Sequence, residues 1–133
     1  MENIIEQRGA RMAQIWLKIA VLYLLIGVIF GLVMCMSHQF QYAPVHAHIN
    51  LLGWASLGLS GVIYWLCPRA GGHWLGLMHF WLHNIGLPIF VAGLFFLQAG
   101  HPAAQPVVAV GATIAVIGIV FFTLNVFVSL KKA

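Results

Sequence analysis

The run IWLKIAVLYLLIGVIFGLVMCM, residues 15–36, decides the fold. It is apolar almost throughout, Lys18 being its single charged residue. A transmembrane helix needs about twenty consecutive, mainly apolar residues, and this run supplies them. Three further runs of the same kind follow at residues 45–66, 74–97 and 107–130. The segments between them, SHQFQYAP, CPRAGG and QAGHPAAQP, are short and rich in turn-forming residues. The reading is an all-α membrane protein, one antiparallel four-helix bundle over residues 1–133.

Composition says the same. The chain has 133 residues, 62% hydrophobic and 6% charged, with a mean hydropathy of +0.99. A soluble domain carries about a quarter charged residues to cover its surface. Lipid is therefore the solvent for most of this chain. The mixed polar start, residues 1–14, does not read as a cleavable signal peptide, and the span after it is expected to remain in the mature protein.

Charge fixes the expected orientation. Arg8, Arg11 and Lys18 lie before or just inside the first span, Arg69 between spans two and three, and Lys131 and Lys132 after span four. The other two loops hold no Lys or Arg. Every positive charge falls on one side, so both termini are expected in the cytoplasm. Lys18 can snorkel to the interface. The formal net charge of +4 comes from these topology signals. No basic stripe of the kind nucleic acid requires is present. Cys35 and Cys67 fall at opposite faces, about 30 Å apart. That is too far for a disulfide, which needs Cα atoms within about 7 Å.

Seven histidines in so apolar a chain call for explanation. His38 and His101 read as polar loop residues, and His73 as interfacial. His46, His48, His79 and His83 remain, all inside spans. Polar side chains there are costly and face a partner, a cavity or a cofactor. Imidazole ligates haem iron, copper and zinc. All four are candidate metal ligands.

Spacing divides them. His46 and His48 are two residues apart, so on a helix they point about 200° apart and suit two different sites. His79 and His83 are four apart and share a face, where they could grip one ion. Asn50 shares a face with His46 and is a candidate partner for it or for a cofactor edge. Pro88 frees the carbonyl of Asn84 and could kink span three beside His83. Antiparallel pairing about residues 69–70 sets His83 level with residues 56–59, some ten residues deeper than His48. That is roughly 15 Å at 1.5 Å per residue. One chain therefore does not place His48 and His83 on a single iron. Gly27 with Gly31, and Ser56 with Ser60, form small-residue pairs that permit close helix approach.

The acidic residues are Glu2 and Glu6 alone, both in the N-terminal segment. No carboxylate enters a span, so no acidic proton relay or cation-coupling site is expected. There is no P-loop or dinucleotide fingerprint and no serine or cysteine nucleophile with a base.

The segment VHAHINLLGWASLGLSGVIYWLCP, residues 45–68, together with HFWLHNIGLPIFVAGL, residues 79–94, resembles the haem-copper oxidase superfamily. The similarity is to the large subunit of bacterial cytochrome-c oxidases and nitric oxide reductases, and more closely to short oxidase subunit I-like proteins. It covers spans two and three, and HxHxNLLGW is its most specific part. In that family, repeats of four helices surround a pseudo-threefold axis, and one helix bears a His-x-His pair serving two neighbouring haems. His46-Ala47-His48 matches that pair.

The resemblance implies a homotrimer in a bacterial inner membrane, with haem b between protomers, held by His46 and His48. Asn50, on the face of His46, and His83 are further candidate cofactor contacts. Copper at His79 and His83 stays optional, because the family's adjacent His-His copper pair and its cross-linked tyrosine helix are absent. Electron transfer from a donor, or binding or reduction of a small gas such as oxygen or nitric oxide, would follow. An oxidoreductase activity stays open. Two rival classes also remain: a cofactor-free helper or assembly subunit whose histidines bond between helices, and a metal-ion transporter.

Overall fold

A computed structural model describes residues 1–130, without the side chain of Glu2. Lys131 and Lys132, used above for topology, lie outside the described residues. Among these residues every regular element is helical: α1 (Glu2–Met36), α2 (Ala43–His48), a π-helical turn (Ile49–Ala55), α3 (Ser56–Leu66), α4 (Pro68–Gly72), α5 (Trp74–Gln98) and α6 (Gln105–Leu130). Short 3-10 turns at Phe40–Tyr42 and Pro102–Ala104 lead into α2 and α6. Four helices are long and apolar enough to cross a membrane, the second running unbroken from Phe40 to Leu66.

Two elements differ from expectation. The 35-residue α1 starts well before the apolar run. At 1.5 Å per residue it is about 52 Å long, roughly 20 Å more than the hydrocarbon core. Its first residues are helix formers without proline, and the surplus turns pack on the segment CPRAGG. That segment, expected as a turn, is the short helix α4. Pro68 opens it, where a missing N–H costs nothing.

Gly9 is where the two helices meet, since a Cβ there would strike the Pro68 carbonyl. Arg69 pairs with Glu6 at 3.0 Å, both side chains about half exposed. Ser129 at the end of α6 lines a cavity of about 490 Å³ with Ile5, Glu6 and Arg69. The start of α1 and the end of α6 therefore share one end of the bundle.

At the opposite end, α1 and α5 finish in the same way. His38 takes a left-handed φ of 55°, and Gly100 a φ of 91°. The Gln39 N–H then reaches back to the Met34 carbonyl, and the His101 N–H to that of Phe96, at 3.1 Å each. These bonds satisfy carbonyls that a helix C-terminus leaves open. The loop reading of His38 thus becomes a helix-ending residue. His73 closes the remaining gap: its Nδ1 accepts the Leu75 N–H at 3.4 Å and caps α5.

Side chains pack differently in the two hairpins. Between α5 and α6 the contact is backbone to backbone. A Cβ on Gly86 would lie 2.5 Å from the Ala115 nitrogen, and one on Gly93 2.8 Å from that of Val108. Small residues allow this approach where lipid offers no hydrophobic drive. On α1, the glycines admit polar side chains from span two. A Cβ on Gly27 would meet Asn50 Oδ1 at 2.6 Å, and one on Gly31 would meet His46 Cε1 at 2.6 Å. Ser60 is buried and Ser56 half-buried. Each serine hydroxyl donates within its own helix, to Ser56 O and Leu51 O respectively.

Candidate functional site

Span three brings His79 and His83 into the core of the bundle, and both are fully buried. Their spacing of four turns both rings to one face. His83 Nε2 lies 3.0 Å from the Leu52 carbonyl. His79 Nε2 lies 3.2 Å from His83 Nδ1, and the Tyr64 hydroxyl 2.9 Å from His79 Nδ1. Asn125 extends the line from α6, donating to the Tyr64 oxygen at 3.4 Å and to the Ala70 carbonyl at 2.8 Å. Its Oδ1 accepts from the Ser129 hydroxyl at 3.1 Å.

The direction of this chain is forced by its ends. A carbonyl only accepts and an amide NH₂ only donates. Leu52 O therefore takes the proton of His83 Nε2, which leaves His83 Nδ1 to accept from His79 Nε2. His79 Nδ1 must then accept from Tyr64, whose oxygen accepts from Asn125. Each ring carries one proton, and all four ring nitrogens are used. Both ends of the chain are amide carbonyls, which neither take up nor release protons. The line is a closed hydrogen-bond network, and a metal at His79 and His83 would have to break the link between them. Among the described residues no three His, Cys, Asp or Glu side chains come together as a metal-binding group.

Aromatic rings wall the network off. Trp16 of α1 is fully buried. Its ring lies 4.4 Å from that of His79 and 5.8 Å from that of His83. Phe122 covers His79 from α6 at 4.7 Å. Low local polarity strengthens the enclosed bonds and makes any unpaired member costly.

The free Leu52 carbonyl has a local cause. In an α-helix the Ser56 N–H would bond to it. Here the Ser56 N–H bonds to the Leu51 carbonyl instead, five residues back. This wide π turn leaves Leu52 O without its helical donor, and His83 supplies one. The antiparallel pairing set His83 level with residues 56–59. The Leu52 carbonyl points along the chain toward that level, so the register agrees to about one turn.

His46 and His48 lie nearer the other end of the bundle, and the structure does not bring them to His79 or His83. They face opposite ways, as the 200° offset requires. His46 turns to α1 and rests on Gly31. His48 turns to α5, edge-on to Phe90 at 4.8 Å.

Their nitrogens also differ. Asn50 Nδ2 donates to the His46 carbonyl at 2.8 Å and approaches His46 Nδ1 at 3.4 Å. His46 Nδ1 is therefore an acceptor, and its proton sits on Nε2. His48 is the reverse: Nδ1–H donates to the Pro44 carbonyl at 2.7 Å. Its Nε2 lone pair has no partner among the described residues. An Nδ1–H bond to a backbone carbonyl is how ligating histidines are oriented and held in the right tautomer. His48 thus presents an unpartnered acceptor nitrogen, whereas the acceptor nitrogen of His46 faces Asn50.

α5 continues as a helix through Pro88. The proline lines an apolar groove of about 370 Å³ with Tyr23, Phe30, Val45, Ile49 and Phe95. That groove lies between α1, span two and α5.

The sequence reading missed Trp16, Tyr64, Asn125 and the Leu52 carbonyl. Asn125 could have been found, being an amide inside a span. Tyr64 and Trp16 pass as apolar bulk, and a freed carbonyl has no residue signature. No protein-family model, curated protein or solved structure matches the chain, so the chemistry of the site rests on its own geometry.

Proposed function

We propose that this is a haem b-binding membrane protein resembling one four-helix repeat of the haem-copper oxidase core. It spans a bacterial cytoplasmic membrane with both termini inside and assembles as a homotrimer. The observation that carries the reading is His48. It is half-buried on a membrane-facing element, its Nδ1 is fixed by Pro44, and its Nε2 lone pair is unused.

His48 would be an axial ligand, and the second would come from a neighbouring copy, since no other histidine of the same chain stands beside it. Such a shared site gives closed symmetry a purpose. Phe90 would hold the His48 ring edge-on. Asn50 and Gly31 hold His46 on the other side of the helix, against α1 of the same chain. When bound, haem supplies a one-electron iron couple. Two histidine ligands favour electron transfer, and one open position favours binding of a small gas. The orientation is supported by Arg8, Arg11, Lys18 and Arg69, which lie toward the end shared by the start of α1 and the end of α6.

A second reading has an observation of its own. The bonds from Leu52 to Asn125 satisfy His79 and His83 without any cofactor, which is what a cofactor-free helper subunit would show. Copper at that pair is not proposed.

The test is the visible spectrum of detergent-purified protein, oxidised and dithionite-reduced, beside His48→Ala. The haem reading expects a Soret band and sharp reduced bands, lost or shifted in the variant. A colourless wild type from cells with ample haem sinks it and leaves the helper. Carbon monoxide added to the reduced protein distinguishes electron transfer from gas binding.

A further inference from the structure

We infer that His83 is a positioning residue: its bond to the Leu52 carbonyl holds the π turn of span two open and so sets the rotation of α2, residues 43–48, and of Asn50 at the start of the turn. A π turn is an α-helix with one residue inserted. Closing it to regular α-helix would turn everything before it by one residue, about 100°. The segment before it carries His46 and His48, and Asn50 lies in the first turn of the π segment itself. At present Asn50 sits in the slot at Gly27 and His46 in the slot at Gly31, while His48 stands on Phe90. A turn of that size would take all three from their places.

What opposes closure is the bond at Leu52. Ser56 has moved its N–H to Leu51, and its hydroxyl donates there too at 2.8 Å. Leu52 O is left for His83 Nε2 alone, at 3.0 Å. His83 cannot withhold that proton, because its Nδ1 already accepts from His79. His79 is fixed in turn by Tyr64, and Tyr64 by Asn125. The buried network thus reaches the outer histidines through backbone, although no inner ring touches an outer one. This inference rests on the haem reading only for the use of the rotation. The rotation itself is a separate fact.

Ala47 reports it, being exposed between two half-buried histidines. After a one-residue turn in either direction, position 47 takes the present orientation of 46 or 48. A spin label on Ala47→Cys, in a Cys35→Ser, Cys67→Ser background in phospholipid vesicles, reads oxygen accessibility. His83→Leu is expected to lower that accessibility severalfold. His83→Gln, whose amide can still donate to Leu52, is expected to keep it.

An unmoved label in folded His83→Leu overturns the inference. If His83→Leu fails to fold, Leu51 is also deleted, which removes the extra residue and with it the free carbonyl. Recovery of a monodisperse helical protein is then expected, and no recovery overturns the inference. A colourless wild type with a label that moves removes the haem reading and leaves this one standing. A coloured wild type with an unmoved label does the opposite.

Discussion

The inner histidines, His79 and His83, and the outer ones, His46 and His48, are the same residue type in the same apolar chain. They are nevertheless in opposite states. The inner rings are fully buried, and every ring nitrogen has a partner within the protein. The outer rings are half-buried, and His48 keeps a lone pair unused. Having a partner, more than being polar, separates a histidine that holds helices together from one able to hold a ligand. The cost of an imidazole in a membrane is met inside the protein in one case and left for something else in the other.

Breaking the inner set should have the largest effect. His79→Ala leaves the Tyr64 O–H proton without its acceptor and His83 Nδ1 without its donor, and opens a cavity beneath Trp16. A loss of about 3–5 kcal/mol is expected, combining cavity and unpaired polar groups. Denaturant unfolding in detergent, followed by circular dichroism, checks it. A cost as small as that of an outer-histidine variant would erase the contrast.

Tyr64→Phe is a finer cut. The ring stays, and only the hydroxyl that donates to His79 is lost. Hydrogen bonds within membrane bundles average about 0.6 kcal/mol and reach about 1.7, so a loss of about 1 kcal/mol is expected in the same assay. A loss near that of His79→Ala would mean that the hydroxyl, more than ring packing, carries the network.

The smallest effect on stability belongs to His48→Ala. One exposed hydrogen bond and one ring contact go, and nothing buried is left unpaired. A change under about 1 kcal/mol is expected. Loss of the spectrum without loss of stability would sharpen the comparison most. Loss of both together would make His48 another packing residue.

Much of this was legible beforehand. The four spans, the short loops and the divergence of His46 and His48 follow from apolar run length and from 100° per residue. So does the shared face of His79 and His83. The i, i+4 proximity of Asn50 to His46 was also readable, and the structure gives it a distance of 3.4 Å. α4 was less readable. Pro-Arg-Ala-Gly-Gly has the composition of a turn, and it is helical because the extended start of α1 packs on it through Gly9.

Local chemistry determined what could be read from sequence alone: which segments prefer lipid, how many cross, and which side chains share a helix face. Those properties depend on residue type and on helix periodicity, and both are present in a bare string. Tertiary structure decided which histidine has a partner. His83 finds Leu52 because one turn of span two is a residue too wide, and Tyr64 finds His79 because α4 sets the register of the next span. Hydrogen bonds between distant helices depend on position to within an ångström, whereas a hydrophobic pattern specifies position only to within about a helical turn.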